Sequence, residues 1–552
     1  MIENVTNLIA LLSPVLFAVV ALASWFQAGF RPKQLISFSK RVTAASLLLV
    51  AVCGVLVWKN NLVETSFIGI ADLGFSLRLD ALSTVMLGMI ALLGFIIIKF
   101  SVNYLDGEQR QGAFIGRLAA TIASVQLLVL SGNLAILLVS WVLTSISLHR
   151  LLVFYSGRPI AQLAAKKKFI LARIGDACLF IAVAVLYKHF GTGNIEIIFN
   201  TIEGGSFNSS VLEIAAVFLA SAAMFKSAQF PTHGWLIEVM ETPTPVSALL
   251  HAGLLNAGPF LLIRMAFVMD ATAIAPILLI IIGGLTALFA SVAYLTQTSV
   301  KTALAYSSIG HMGFSLMVCG FGVYAAALLH LVAHSFYKAH SFLSSGSVID
   351  VVRSSKISKT ASAFSPLKVV VGIALALGLY AAFALMLGMN FKEDLPLLII
   401  GSVIVMGLSR LFTAAVSSQF NIQLLTQATL LAIIVTAAFF SLESATHYLI
   451  ASQIPSVVVP ELGKILAMSF VLITFASAIF IQLIAPSLAH KPAYQAWAIH
   501  FRNGFYANAL FDRVLGALRV HSKEENHIVH DSDIKQVQTE QFELENLTKQ
   551  VA

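Results

Sequence analysis

The feature that most constrains this chain is a succession of apolar runs, each long enough to cross a lipid bilayer. A membrane-spanning helix needs about 20 mostly apolar residues, and about 15 such runs follow one another here. Their cores are residues 6–28, 42–58, 81–102, 113–131, 133–155, 169–189, 211–240, 244–268, 273–295, 300–319, 321–347, 366–390, 395–417, 421–440 and 461–487. Because the bilayer interior offers no water to backbone groups, runs of this kind fold as helices. The sequence therefore predicts an all-α polytopic membrane protein.

The composition excludes the other broad classes of protein. Only 11% of the 552 residues are charged and 58% are hydrophobic, whereas soluble domains are about 25% charged. A soluble enzyme, a disordered chain and a fibrous protein are thereby ruled out. The net charge of +8 is typical of basic cytoplasmic loops rather than of nucleic-acid binding. Cys53, Cys178 and Cys319 lie in apolar runs and are predicted to be small core residues.

The distribution of basic residues predicts the orientation in the membrane. They cluster after the first, fifth and eleventh runs: Arg31, Lys33, Lys40 and Arg41; Arg158, Lys166, Lys167 and Lys168; Arg353, Lys356 and Lys359. All three clusters follow odd-numbered runs, so one orientation places all of them in the cytoplasm. We therefore expect the N-terminus outside and the C-terminus inside. The N-terminus lacks the basic region of a cleavable signal peptide, so the first span is expected to be retained.

One apolar run combines a lysine with a helix breaker. Lys226 is followed five residues later by Pro231. Proline lacks an N–H and its ring opposes a carbonyl of the preceding turn, so the helix is predicted to break or kink there. Burial lowers the affinity of a lysine for its proton, which suits proton exchange near neutral pH. The alternative is a lysine that extends to the membrane interface, but its coincidence with the break favours a conduction role.

A second set of titratable residues lies along one predicted helix face. His330, His334 and Lys338 are spaced by four residues, which places them on one stripe. The stripe predicts a proton relay that His311 could extend. Two alternatives are a zinc site at His330 and His334, without a third ligand nearby in sequence, and structural hydrogen bonding. His251, about two turns into its own run, is open between a relay and a structural hydrogen bond.

Five further polar residues are possible accessories to conduction: Arg173, Asp176, Glu238, Glu241 and His233. The spacing of Arg173 and Asp176 also fits a structural ion pair within one helix. The two glutamates are predicted to lie near the cytoplasmic end of the broken run, either as a water-exposed mouth or as solvated caps. The sequence contains no nucleotide-binding loop, Ser-His-Asp triad or cysteine nucleophile, and we do not expect an enzyme.

The sequence after about residue 488 changes character. Residues 494–520 mix aromatic and basic side chains, which predicts an interfacial amphipathic helix. Its aromatic and arginine residues suit partner docking, although the helix could also only brace the bundle: Trp497, Arg502, Phe505, Phe511 and Arg513. From His521 onward the chain is polar and is expected to be disordered or bound to a partner.

Several long motifs resemble the proton-translocating antiporter-like subunits of respiratory complex I and Mrp antiporters. They are Lys226-Ser-Ala-Gln-Phe-Pro through His251-Ala-Gly, Lys301-Thr-Ala-Leu-Ala-Tyr through His311, and the stripe from His330 to Lys338, within about residues 70–350. The resemblance implies two inverted five-helix repeats, each with a broken helix, and a central polar axis. Lys226 then matches the central lysine of the first half. His251, His330, His334 and Lys338 match residues of the axis.

The chain departs from that family at two places. The family usually has a glutamate after the tryptophan of the fifth span, as partner to the central lysine, and Val142 stands there. This departure puts pumping of the complex I kind in doubt. The second half also lacks the usual Pro-Pro/Gly-Phe-Phe-Ser-Lys-Asp-Glu break, and Lys392-Glu393-Asp394 is a possible remnant to which no role is assigned.

The stretch from His233 to Arg264 most resembles DabB subunits, membrane components of bacterial inorganic-carbon accumulation complexes. Their partner DabA resembles a zinc β-type carbonic anhydrase. The resemblance implies a bacterial inner-membrane location, a DabA-like soluble zinc subunit on the cytoplasmic side and no cofactor in this chain. The expected function is conduction of protons, or sodium ions, that energises vectorial CO2 hydration. Alternatives are a proton-pumping subunit of complex I or an Mrp-type antiporter, and a scaffold with a vestigial channel.

The expected organisation has five parts. They are N-terminal transmembrane helices in 1–110, a first antiporter-like repeat in 111–270, a second in 271–420, C-terminal transmembrane helices in 421–490, and a cytoplasmic amphipathic segment with a polar tail in 491–552.

Overall fold

The structure is a computed structural model that describes residues 8–155, 157, 159–346, 365–417, 422–456, 459–488 and 490–517. Residues up to Asn508 belong to one compact unit, and a second unit begins at Ala509. Of the second unit, residues 509–517 are described, and they are helical. Arg158, Arg353, Lys356, Lys359 and the tail from residue 518 lie outside the described residues, so the predictions made for them stay predictions.

Helices dominate the described chain. In order they are α1 (Ile9–Phe26), α2 (Lys33–Asn60), α3 (Ala81–Tyr104), α4 (Gln111–Val129), α5 (Leu134–Leu152), α6 (Pro159–Phe190), α7 (Ile195–Glu203), α8 (Ser209–Lys226), α9 (Gly234–Glu238), α10 (Thr244–Leu249), α11 (Ala257–Arg264), α12 (Ala266–Asp270), α13 (Ile274–Leu295), α14 (Val300–Phe321), α15 (Tyr324–Leu343), α16 (Pro366–Met386), α17 (Leu395–Met406), α18 (Ser409–Ser417), α19 (Ile422–Ile450), α20 (Leu462–Leu488), α21 (Pro492–Arg502) and α22 (Ala507–Ala517). Short 3₁₀ segments are Val239–Glu241, Ala451–Gln453 and Gly504–Tyr506, and Leu250–Leu254 is a π-helical turn.

The predicted all-α membrane fold is confirmed. Thirteen helices of the described chain are long and apolar enough to cross a bilayer, and the bent pair α17 and α18 makes a fourteenth candidate. The remaining predicted run, 321–347, is helix α15, whose 20 residues match a hydrocarbon core of about 30 Å at about 1.5 Å per residue. This helix is less apolar because it carries the histidine–lysine stripe.

Two basic clusters predicted to lie in loops are partly helical. The predicted core 169–189 begins at Pro159 in the structure, so Lys166, Lys167 and Lys168 are helical. Lys167 and Lys168 are buried. Their burial is tolerated because their ammonium groups bond to oxygens of neighbouring segments. Lys33, Lys40 and Arg41 likewise fall inside α2, where all three are exposed.

The predicted break near Pro231 is present. Helix α8 ends at Lys226 and helix α9 begins at Gly234, so seven residues interrupt the span. In the second half, Lys392-Glu393-Asp394 lies in the loop between α16 and α17. The bend of this half lies instead between α17 and α18, which meet at 46°. Lys392 is exposed and is not placed in a broken helix.

Two ends of the bundle are distinguishable. The basic end contains residues 27–32, 105–110 and 153–155, joined by the Arg31–Asp106 ion pair and a hydrogen bond from Tyr155 to Glu108. The hairpin end carries four short strands, β1 (Val63–Glu64), β2 (Ile68–Ile70), β3 (Leu73–Phe75) and β4 (Arg78–Leu79). Strand β1 pairs antiparallel with β4 and β2 with β3, with Val63 opposite Leu79 and Ile68 opposite Phe75.

The core lies where helices approach most closely. Helices α13 and α14 cross at Gly283 and Gly313, where a Cβ on Gly313 would lie 2.7 Å from backbone atoms of α13. Only glycine permits this approach. The span from Thr244 to Arg264 is buried along its whole length. It therefore occupies the centre of the bundle, with the broken span on one side and α15 on the other.

Candidate functional site

Lys226 lies at the last turn of α8, immediately before the break, and points at helix α5. Its Nζ donates to the Thr144 hydroxyl at 2.8 Å, the Ser145 hydroxyl at 2.7 Å and the Trp141 carbonyl at 3.1 Å. The same nitrogen lies 4.3 Å from the centroid of the Trp141 ring, within the range of a cation–π contact. Neutral oxygens and an aromatic face thus surround the ammonium group at the middle of α5.

A carboxylate of the first half interacts with Lys226, although Val142 stands where the family usually has a glutamate. The carboxylate that interacts electrostatically with Lys226 is Asp176 of helix α6. Asp176 also forms the predicted ion pair with Arg173, with the Arg173 Nη2 and Asp176 Oδ2 atoms 2.5 Å apart. One negative charge therefore faces two cations, and the pair predicted from sequence is part of the lysine's surroundings.

Ser145 joins two lysines. Its hydroxyl accepts from Lys226, and its carbonyl accepts from the Lys168 Nζ at 3.1 Å. Lys168 follows directly after Lys167 in the basic run, whose helical placement the sequence reasoning missed. The signal that could have found Thr144 and Ser145 is their spacing, since they follow Trp141 by three and four residues on one helix face.

A partly buried polar cluster lies at the basic end of the broken span. Lys167 donates to Glu238 Oε1 at 2.5 Å and to Asn508 Oδ1 at 3.1 Å, and Asn508 donates to Glu238 Oε1 at 2.6 Å. A Cβ on Gly234 would lie 2.2 Å from Asn508 Oδ1, so glycine makes room for this side chain. Glu238 is therefore an ion-paired residue rather than a freely solvated cap. The side chain of Glu241 lies outside the described residues.

His233 has an aromatic environment. It is buried, and its ring centroid lies 5.6 Å from Phe230, 5.1 Å from Phe289 and 6.1 Å from Tyr306. This packing fits a structural role beside the break, and the accessory role stays a prediction.

His251 lies at the irregular centre of the buried span. It falls in the π-helical turn that follows α10, and its ring stacks on Phe342 with centroids 4.4 Å apart. Neither ring nitrogen has a hydrogen bond to the part of the chain that the structure describes. Buried polar groups normally bond to protein or ordered water, so the choice between a relay and a structural hydrogen bond for His251 stays open. Lys338, one turn before Phe342, interacts with His251 electrostatically.

The stripe on α15 forms one cluster with His311 of α14. The His311 ring centroid lies 4.9 Å from that of His334 and 5.2 Å from that of His330. Both nitrogens of His334 and the Nε2 atom of His330 lack a hydrogen bond among the described residues. Lys338 donates to the Leu304 carbonyl at 3.1 Å. The structure thus brings together all four residues that the sequence grouped as a relay.

The alternative zinc site receives no support from this geometry. Among the described residues, no group of three or more His, Cys, Asp or Glu side chains is arranged to hold a metal ion. The three imidazoles contact one another as rings and do not converge on one point.

A bond between Asn256 and Ser335 links the buried span to α15. The Asn256 Nδ2 atom donates to the Ser335 hydroxyl at 2.7 Å, and Ser335 directly follows His334. On the other side, Ser227 of the break donates to the Leu255 carbonyl at 3.2 Å. The break beside Lys226 is therefore in direct contact with the span that carries His251.

A second ionic cluster lies at the hairpin end. Asp80 caps α3 and binds Arg264 through two contacts of 2.5 and 3.2 Å, while Arg78 approaches it at 2.8 Å. Burial by itself would raise the pKa of the Asp80 carboxyl, but the two guanidinium groups hold that pKa well below its usual value. This cluster ties the start of α3 to the end of α11 and is structural.

The predicted docking segment has two faces. Phe501 and Phe505 lie 6.4 and 6.0 Å from Phe289 by ring centroids, whereas Trp497 is 58% exposed. The single predicted helix over 494–520 is two helices in the structure, because Gly504, Phe505 and Tyr506 adopt positive φ. Arg502 is exposed. Phe511 and Arg513 lie on the part of α22 that belongs to the second unit.

Comparison with known proteins agrees with this architecture. Residues 131–421 match the family described as NADH:quinone oxidoreductase/Mrp antiporter, transmembrane. Residues 66–115 match the N-terminal region of complex I chain 5. A solved structure of the Mrp complex from Dietzia sp. DQ12-45-1b superposes with a TM-score of 0.62 at 22% identity, covering 98% of this chain and 63% of that chain. This likeness establishes the fold.

Two sequence relatives are named as inorganic carbon transporter subunits. The probable subunit DabB of Hydrogenovibrio crunogenus is 37% identical over 63% of this chain, and the match spans 65% of that protein. The probable subunit DabB2 of Halothiobacillus neapolitanus is 34% identical over 81% of each chain. The chain is an antiporter-like membrane subunit: it belongs to the NADH:quinone oxidoreductase/Mrp antiporter family, within which its relatives include DabB-type inorganic carbon transporter subunits.

Proposed function

We propose that this chain conducts protons across the bacterial inner membrane and thereby energises vectorial CO2 hydration by a DabA-type partner. The supporting observation is a chain of neighbouring segments. Ser227, next to Lys226, bonds to the span that carries His251, and His251 stacks on Phe342 of α15. That helix carries Lys338 and the histidine cluster of His334, His330 and, from α14, His311. Titratable side chains that pack one after another through a membrane interior can exchange protons through water or one another.

The zinc chemistry is assigned to the partner in this proposal. A zinc-bound water has a pKa of about 7, so near neutral pH it supplies hydroxide for attack on CO2. This chain contributes the proton path, which would keep hydration running in one direction by carrying away the proton that is released at the partner when CO2 and water form bicarbonate. The partner docks at the basic end, which faces the cytoplasm in the orientation expected from the loop charges.

Growth at ambient CO2 in a host that lacks carbonic anhydrase tests the proposal. Coexpressed with its partner, the wild-type chain should rescue growth, and Lys226→Ala should abolish rescue while the chain still inserts, because removing a charge eases insertion. Lys392→Ala is the matched control, since it removes an exposed loop lysine and should leave rescue intact. Normal rescue by Lys226→Ala would remove Lys226 from the conduction path.

An Mrp-type cation/proton antiporter is the second candidate, favoured by the likeness to the Mrp complex fold. The two candidates predict different proteins bound to the purified chain. Recovery of a zinc subunit with the purified chain favours the first. Recovery of other antiporter subunits, with sodium-dependent proton movement in vesicles, favours the second.

A further inference from the structure

A lateral groove runs along the lipid-facing side of α1, α4 and α5. It has a volume of about 950 Å³ and extends from Phe75 near the hairpin end to Arg150 at the basic end. Small residues open it, among them Ala18, Ala21 and Ala120. Helices α1 and α4 meet closely beneath it, since a Cβ on Gly116 would lie 1.8 Å from the Ser24 hydroxyl oxygen.

The walls of the groove are apolar and turned outward. Val15, Leu22, Leu143 and Ile146 line it and are 43%, 51%, 39% and 41% exposed. In a membrane protein such side chains contact lipid chains. The groove follows three spans for most of their length, which suits an extended acyl chain better than a compact soluble ligand.

The charge of the groove is confined to one end. Arg117 and Arg150 are the only charged side chains among its lining residues. Arg117 lies six residues into α4, about 9 Å along the helix, and therefore below the membrane surface. Its Nη1 donates to the Arg150 carbonyl at 2.8 Å, which leaves most of its donors unused.

A third arginine strengthens the positive field. Arg110 and Arg117 both lie against Phe154, with guanidinium carbons 5.2 and 5.4 Å from the ring centroid. Within the described part of the chain, neither these two arginines nor Arg150 forms an ion pair with a carboxylate. Guanidinium groups at the edge of the hydrocarbon are costly without an anion, and phosphate offers them paired oxygens.

We propose that the groove binds one anionic phospholipid of the cytoplasmic leaflet. The phosphate and its headgroup lie between Arg117 and Arg150, and an acyl chain lies along the small residues toward Phe75. Basic pockets between spans at the cytoplasmic side are where anionic headgroups bind. Trp25, which is 77% exposed and also lines the groove, lies near the headgroup, as tryptophans at membrane interfaces do.

Trp25 provides the readout. The purified full-length chain is reconstituted in phosphatidylcholine vesicles that contain increasing fractions of brominated phosphatidylglycerol or brominated phosphatidylcholine. The Trp25 signal is the difference between wild type and Trp25→Phe, which removes the contribution of the other four tryptophans. We expect half-quenching at a several-fold lower fraction of brominated phosphatidylglycerol than of brominated phosphatidylcholine.

Variants test whether the preference for phosphatidylglycerol depends on the two arginines of the groove. Arg117→Gln with Arg150→Gln should make the two quenching curves coincide. Arg117→Lys keeps the positive charge and should retain a preference for phosphatidylglycerol. This variant controls for loss of the hydrogen bond from Arg117 to the Arg150 carbonyl. Arg41→Gln removes an exposed cation of the same end outside the groove and should change nothing. Equal quenching of wild type by both lipids would reduce the groove to ordinary lipid contact. If neither brominated lipid quenched Trp25, protein would cover the groove. Either result overturns the proposal.

Discussion

At the scale of single residues, two lysines inside the bundle are held by specific polar neighbours. Lys226 is held by hydroxyls and a carbonyl of α5, and Asp176 supplies the nearby negative charge. Lys167 is held by Glu238. The histidines differ, because their nitrogens have few or no hydrogen bonds among the described residues. In the proposed path the histidines exchange protons with Lys226 and Lys338 through water or one another.

The histidine–lysine cluster should behave as one unit. His334→Ala and Lys338→Ala should each reduce growth rescue at ambient CO2 by a large factor, and the double variant should be little worse, because groups in series fail together. His340→Ala is the matched control, since His340 is exposed on the same helix. Growth rates and proton uptake by vesicles measure the effect. Additive losses would place the two residues on separate paths.

The Asp80–Arg264 pair should dominate local stability at the hairpin end. Arg264→Gln leaves a buried carboxylate with one guanidinium partner, a change that costs about 3–5 kcal/mol for buried pairs. The lowered pKa of Asp80 means that the pair stabilises the fold above the unfolded carboxyl pKa of about 3.9. This contribution is lost as the pH falls further, through the folded pKa.

Thermal unfolding in detergent measures this prediction. At pH 7 the Arg264→Gln variant should unfold at a clearly lower temperature than wild type, and the gap should narrow below about pH 4, where Asp80 of the unfolded chain is protonated. Arg410→Gln, which removes an exposed arginine, should unfold like wild type. A gap that is independent of pH would assign the effect of Arg264 to packing alone.

At the scale of elements, the broken span and the C-terminal helices depend on each other. The break removes backbone bonds from α8, and Asn508 bonds to both members of the ion pair beside α9. Phe501 and Phe505 add aromatic contacts with Phe289. The segment from Pro492 to Asn508 therefore braces the basic end of the break, which was the second of the two roles considered for it.

Removing the Asn508 side chain should loosen this brace. Asn508→Ala loses two hydrogen bonds to charged groups, each contributing about 1.5–3 kcal/mol, and should speed trypsin cleavage after Arg502 by about tenfold or more. Asn503→Ala, an exposed neighbour, should leave cleavage unchanged. Unaltered cleavage of Asn508→Ala would show that the aromatic contacts alone hold the segment.

At the scale of the whole molecule, the basic end combines the helix-bound basic residues, the Lys167–Glu238–Asn508 cluster and the exposed part of α21. Under the proposed function, a soluble zinc subunit that delivers bicarbonate to the cytoplasm is expected to dock at this end. Trp497 and Arg502 are exposed there and belong to the residue types enriched in binding hot spots.

The docking prediction separates the two faces of the segment. Truncation at about residue 490 should leave an inserted chain that no longer retains DabA. Trp497→Ala with Arg502→Ala should also lower DabA recovery, while keeping the brace, because neither side chain contributes to the Asn508 bonds. Affinity pull-down of DabA measures both, with Asn503→Ala as the control. Undiminished recovery by the truncated chain would assign docking to the loops between spans.

The sequence by itself determined the elements of this protein. Hydrophobic runs of span length specify membrane helices because backbone groups in lipid must bond within their own segment, so almost every span was predictable. The break at Pro231 and the stripe from His330 to Lys338 were predictable for a similar reason. Both depend on neighbours within one or two helical turns, where chain geometry fixes the arrangement.

Only the tertiary structure decided which helix faces and which side chains contact one another. Thr144 and Lys226 are 82 residues apart, and Asn508 and Lys167 are 341 apart, so no local period relates them. The placement of Lys167 and Lys168 inside a helix depended on the same kind of contact, because buried ammonium groups require oxygens that only other helices supply. Which helix faces meet is set by close packing at positions such as Gly234, Gly283 and Gly313, and that complementarity exists only in the assembled bundle.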